Sequence, residues 1–167
     1  MINNDIMRSI RYMLDLGDAR IIEITRLADP DFPLERDQVQ SWLKKDGESG
    51  YTECPDAVLV RFLDGLVFHY RGHDPSLPAR PLEKRISNNL VLKKLRVAYE
   101  MKDADMHDVF VQAGFPVSKP ELSALFRQPD HKNFRACGDQ MLRNFLKGLT
   151  LHLRGDQPAP LTDRTNL

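Results

Sequence analysis

Arg61-Phe62-Leu63-Asp64-Gly65-Leu66 is answered, later in the same chain, by Asn144-Phe145-Leu146-Lys147-Gly148-Leu149. Each string places apolar residues at helical spacing around a glycine, so each reads as the middle of an amphipathic helix. The correspondence continues outward. His69 and Arg71-Gly72 match His152 and Arg154-Gly155. Upstream, Cys54-Pro55-Asp56 matches Cys137-Gly138-Asp139 and Phe32-Pro33 matches Phe115-Pro116, all at an offset of 83. Asp18-Ala19 against Asp103-Ala104, Arg11 against Arg96, and Asn3-Asn4 against Asn88-Asn89 stand at an offset of 85. One two-residue length difference therefore falls between Ala28 and Phe32, in a loop. The chain is one unit written twice, over 3–72 and 88–155.

A lone unit of about 70 residues is only marginally stable. The two copies are therefore expected to pack against each other about a pseudo-twofold axis. The predicted organisation is a first repeat over 1–72, a linker over 73–87 with Pro75, Pro78 and Pro81, a second repeat over 88–155, and a disordered tail over 156–167.

Within each copy the periodicity is helical throughout. Ile6, Ile10, Met13 and Leu14 form one stripe, answered by Val91, Leu95, Ala98 and Tyr99. The paired asparagines before them suit N-caps, whose side chains accept orphan backbone N–H bonds. Ile21, Ile24 and Leu27 mark a second helix, matched by Met106, Val109, Phe110 and Ala113, with Gly114 as its stop. The third helix of the second copy opens with Ser118-Lys119-Pro120-Glu121, a capping box, and buries Leu122, Leu125 and Phe126; Val39, Trp42 and Leu43 are the counterpart. The fourth, longest helix carries Val58 through Tyr70, matched by Met141 through Leu153. Its mid-helix Gly65 and Gly148 predict that another backbone crosses closely there. The fold class is all-α: two tandem repeats of about four helices each, with helix-turn-helix-like units.

The chain has 167 residues, 24 Lys/Arg against 24 Asp/Glu, and a mean hydropathy of −0.45. Its charge is unevenly placed. Residues 3–72 hold nine Lys/Arg and thirteen Asp/Glu, a net −4, while 88–155 hold eleven and seven, a net +4. Opposite halves can attract each other within a chain or between chains, and only the second suits a polyanion. No apolar run approaches the roughly 20 residues of a membrane span, and the N-terminus lacks the basic and apolar regions of a signal peptide. A cytoplasmic protein with no membrane partner is expected. Cys54 and Cys137 are expected to be free thiols in the core. The five histidines show no metal spacing, and no phosphate loop or nucleophile motif is present, so neither a cofactor nor an enzyme is expected.

Four strings are unusual: Asn-Asn-Asp-Ile-Met-Arg-Ser-Ile-Arg-Tyr-Met-Leu at 3–14, Arg-Phe-Leu-Asp-Gly-Leu at 61–66, Glu-Leu-Ser-Ala-Leu-Phe-Arg at 121–127 and Asn-Phe-Leu-Lys-Gly-Leu at 144–149. Through them the chain resembles the YehS-like family of uncharacterised bacterial proteins, over residues 1–155. The resemblance implies a bacterial cytoplasmic protein and brings no activity, cofactor or site residue.

A second resemblance is local. The second helix, a Gly-containing turn and the third helix, best over Asp103 to Arg127, are similar to a helix-turn-helix of the phage-repressor type, whose second helix reads the major groove. It implies base or phosphate contacts from Lys119, Ser123 and Arg127, and from Arg36, Gln40 and Lys44 in the first copy. Lys132 and Arg135 in the following loop, and Lys93, Lys94 and Arg96 on the first helix, are further candidates for phosphate. The turn departs from the pattern, being about two residues longer than the compact motif. Phe110 stands where a small residue is usual, and Asp29, Asp31, Glu35 and Asp37 make the first copy's surface partly acidic. The plainer reading of these polar positions is the solvated face of a helix. DNA, ahead of RNA, is the expected partner. The alternative is a protein-interaction module with Trp42, Tyr51, Phe68 and Tyr70 lining a groove, or self-association through the oppositely charged halves.

Overall fold

The structure is a computed structural model that describes residues 1–78 and 80–155. The expected tail over 156–167 lies outside the described residues. Among them there are eight helices and no strand: α1 (Asn3–Leu14), α2 (Asp18–Ala28), α3 (Arg36–Leu43) and α4 (Asp56–Arg71), then α5 (Asn88–Ala98), α6 (Asp103–Gln112), α7 (Lys119–Leu125) and α8 (Asp139–Arg154). The fold is all-α with tandem repeats. Among the described residues joining α4 to α5 there is no helix.

Within each repeat the second helix crosses the fourth. A Cβ on Gly65 would lie 1.9 Å from the carbonyl oxygen of Ile24, and one on Gly148 would lie 2.0 Å from that of Val109. The recurrent glycines therefore mark backbone-to-backbone crossings, as their mid-helix placement predicts. Leu59, Phe62, Leu63 and Leu66, with Leu142, Phe145, Leu146 and Leu149, then fill one continuous core with Ile6, Ile10, Ile21, Val91, Leu95 and Phe110. Between repeats the packing is reciprocal: α4 lies on α5, and α8 lies on α1. Exchanging the copies exchanges these two contacts, which is the pseudo-twofold arrangement.

The asparagines are not N-caps. Ile2 and Ser87 hold those positions, and the Ser87 hydroxyl accepts from the Leu90 N–H at 3.1 Å. Asn3 and Asn4 are already helical and reach outward instead. The Asn4 amide donates to the carbonyls of Trp42 and Thr52, at 3.0 and 2.8 Å, and accepts from the Cys54 N–H at 2.9 Å. Asn3 donates to the Cys54 carbonyl at 2.9 Å and to Asp56 at 2.7 Å. The second copy repeats every bond: Asn89 joins the carbonyls of Leu125 and Arg135 and the Cys137 N–H, and Asn88 joins the Cys137 carbonyl and Asp139. Asn-Asn and Cys-x-Asp are thus two halves of one clamp. It pins the loop before the fourth helix to the start of the first, and it satisfies backbone groups that burial would leave unpaired.

The thiols sit in this clamp. Cys54 and Cys137 are free and buried; burial pushes Cys54 up to about 12 and Cys137 up to about 11. Each first helix also ends in a left-handed residue that is not glycine, Asp15 and Glu100, both at φ 52°.

Candidate nucleic-acid interface

The proposed reading unit begins at α6 and α7. Gly114, at φ 72°, ends α6, and the Ser118 hydroxyl accepts from the Glu121 N–H at 3.3 Å, closing the predicted capping box. The two helices are separated by residues 113–118, and α2 and α3 by 29–35. Both connections exceed the 3–4-residue turn of a compact helix-turn-helix. Phe110, fully buried against Phe145 with ring centroids 5.4 Å apart, fills the space a compact unit would close. The geometry lends no support to a groove-reading helix. Moreover α7 ends at Leu125, so Arg127 lies beyond it rather than on the same face as Lys119 and Ser123.

Several candidate cations are occupied. Lys94 is half-buried and pairs with Asp64 of the first repeat at 2.6 Å. Arg96 stacks over the Phe126 ring at 4.6 Å and donates to the Met101 carbonyl at 3.0 Å and to Asp103 at 2.7 Å. Arg135 pairs with Glu121; that guanidinium first, and the Ser118 hydroxyl second, hold the Glu121 carboxyl below its ordinary range. In the first repeat, Arg36 lies 3.7 Å from Asp18 and Gln40 donates to the same carboxylate at 3.1 Å. Lys44 donates to the Ser49 carbonyl at 2.7 Å. Each of these groups already has a partner within the fold.

Lys93, Lys119, Arg127 and Lys132 remain exposed and, among the described residues, form no ion pair with a carboxylate. Among the described residues Arg127 has the His131 ring beside it, at 3.5 Å. For Lys119 this follows from a rewiring between copies. Asp18 of the first repeat holds Arg36 and Gln40, the counterparts of Lys119 and Ser123. Its equivalent Asp103 is taken by Arg96 instead, so Lys119 and Ser123 lack that carboxylate partner. Arg8, the counterpart of Lys93, is bound to Asp5 at 2.5 Å and to the Lys44 carbonyl at 2.7 Å. Lys93 stands one turn along α5 from Asn89, which holds the carbonyls of Leu125 and Arg135, so it lies on the helix face turned toward the end of α7 and the following loop.

The aromatic residues considered for a protein groove are dispersed. Trp42 is in the core, Phe68 stacks on His73 at 4.4 Å, and Tyr70 meets Tyr99 at 4.8 Å between the repeats. Across the repeats, Lys94 of the basic half pairs with Asp64 of the acidic half, while Arg71 and Glu100 pair in the opposite sense.

The inter-repeat seams hold side chains that no motif marks. In the α4/α5 seam, Asp64 and Lys94 close the gap beside the buried Val60. Their equivalents in the α1/α8 seam are Lys147, Ser9 and Arg143. There the pair is absent and a cleft is open, lined by Met1, Ser9, Tyr12, Arg143, Leu146 and Lys147. At its end the Met1 nitrogen lies 2.5 Å from Asp139, whose carboxyl it holds below the usual range together with Asn88. The signal was present in the sequence, since Asp64 against Lys147 is the one charge reversal inside the two matching strings.

Among the described residues, no cluster of three or more His, Cys, Asp or Glu is arranged to hold a metal, and no helix is long and apolar enough to cross a membrane. The model of a family described as "Protein of unknown function (DUF1456)" matches residues 3–72 and again 88–155. The chain is 48% identical over 149 residues to "Uncharacterized protein YehS" of Escherichia coli (strain K12), covering 89% of this chain and 94% of that one. No solved structure matches it significantly.

Proposed function

The chain belongs to the DUF1456 family, and from that premise we propose that it is a non-catalytic, cytoplasmic nucleic-acid-binding protein whose contact surface is the basic face of the second repeat. Lys119 and Ser123 on α7, Arg127 and Lys132 in the loop after it, and Lys93 on α5 meet the phosphates. The observation that carries this reading is the rewiring of Asp103 to Arg96, which leaves Lys119 without the carboxylate that stands beside its counterpart Arg36. The mode is phosphate contact, sequence-tolerant and salt-sensitive, rather than base reading by an inserted helix. DNA is the first target, and RNA the second.

The test is a salt titration of binding to mixed duplex DNA, with single-stranded RNA in parallel. Affinity falls steeply with salt, and Lys119→Glu with Arg127→Glu lowers the log–log slope by about two. Unchanged binding in that variant, or binding insensitive to salt, ends the proposal and leaves a protein partner as the reading.

A further inference from the structure

We propose that the cleft between α1 and α8 is a binding site for a phosphate monoester with a flat body. Arg143 and Lys147 hold the phosphate, and the Tyr12 ring carries the body. This site lies on a different helix pair from the α7 surface and does not depend on the nucleic-acid reading.

The argument starts from the sister seam. On α4, Val60 and Asp64 face α5; Val60 is 1% exposed and Asp64 is neutralised by Lys94 at 2.6 Å. On α8 the same two positions are Arg143 and Lys147, both exposed and four residues apart, so they rise from one helix face. Opposite them, Ser9 replaces Lys94. A closed, neutral seam has become an open one with two cations on one wall and a hydroxyl on the other. Among the described residues neither cation has a carboxylate within ion-pair distance. The acid one turn before Arg143, Asp139, feels the Arg143 charge but is already held by the Met1 nitrogen and Asn88.

The chemistry of the lining selects the ligand. Two adjacent cations, one a planar guanidinium with several donors, suit a dianionic phosphate better than a single carboxylate. Arg154 covers one face of Tyr12, 4.5 Å from the ring centre, yet Tyr12 remains 53% exposed, so part of its ring is open to a flat group. Met1 and Leu146 supply the apolar floor. The cleft volume is about 180 Å³, below the roughly 300–1,000 Å³ of sites that enclose a whole ligand. The phosphate and one ring edge fit, and the rest of the molecule stays in solvent.

The experiment titrates AMP, adenosine and inorganic phosphate into the full chain and follows backbone amide shifts by NMR. Saturable shifts centred on Ser9, Tyr12 and Lys147 are expected with AMP, with adenosine weaker by at least about tenfold. Ser9→Lys with Lys147→Asp rebuilds the sister ion pair; it should fold with an unchanged or higher Tm and weaken AMP by about tenfold or more. Arg143→Gln, a change at an exposed side chain, should show a similar loss and covers the case in which the double variant does not fold. Lys119→Glu with Arg127→Glu should leave AMP affinity within about twofold, because those residues belong to another surface. The proposal is overturned by an absence of saturable shifts at roughly millimolar AMP, a concentration that reveals even a Kd of about 1 mM. It is equally overturned by adenosine binding as tightly as AMP, or by folded cleft variants that bind unchanged.

Discussion

The α4/α5 seam and the α1/α8 seam are made of equivalent helices, yet one is sealed by Asp64 and Lys94 and the other is open between Ser9 and Lys147. The clamp asparagines and the crossing glycines, in contrast, are the same in both copies and make the same contacts. The difference separates two kinds of residue. Those that fix backbone geometry recur because each repeat needs the same carbonyls and N–H groups satisfied. Those that differ lie where side chains meet solvent or the other repeat, and there the copies can take on different tasks. Positions at which the two halves disagree, Asp64 against Lys147 and Arg36 against Lys119, are therefore the places to look for function.

The comparison can be broken most severely at the crossings. Gly65→Ala and Gly148→Ala each drive a methyl group into a backbone carbonyl, which only a helix shift can relieve. Each should cost about 3 kcal/mol or more in chemical denaturation, and a small cost in either repeat would show that its helices are not in contact there. The clamp comes next. Asn4 is 1% exposed, so Asn4→Ala strands buried partners and should cost about 2–3 kcal/mol. Asn89 is half-buried, so water can replace part of its amide, and Asn89→Ala should cost nearer 1 kcal/mol. Equal costs would mean that the two clamps are equally dry.

The seams should differ by less. Asp64→Ala leaves a half-buried ammonium without its partner and should cost about 1–2 kcal/mol, whereas Lys147→Ala should fall within about 0.5 kcal/mol of the parent. A comparable loss from both would deny that the seams are built differently. Acid is the mildest probe. Asp56 is held below its ordinary range by Asn3 first and by the Ile86 N–H second, and Asp139 by the Met1 nitrogen first and by Asn88 second. Their folded values lie below the unfolded one, so their contribution is present above about pH 4 and is lost as pH falls through the folded values. Denaturant midpoints between pH 5 and pH 2 should fall, and Asp56→Asn should flatten part of that fall; an unchanged slope would remove Asp56 from the account.

Much of this molecule was legible in its residues. The eight helices, the duplication, the Ser118–Glu121 capping box and the meaning of Gly65 and Gly148 follow from periodicity and from glycine's lack of a Cβ, which are local properties. The clamp was misread because an asparagine at a helix start fits a cap, while its actual partners, Trp42, Thr52 and Cys54, lie 38 to 50 residues away. The candidate cations stand out by charge and by place along the chain, but neither can tell a solvated lysine from Lys94, whose carboxylate lies in the other repeat.

What the chain's order of residues determined alone was the architecture of one repeat and its copying, since hydrophobic period and chain stops act over a few residues. Only the tertiary structure decided which charges are consumed and which stay free. Ion pairs and clefts arise where segments distant in sequence meet, and their energies depend on burial and distance that no local pattern contains.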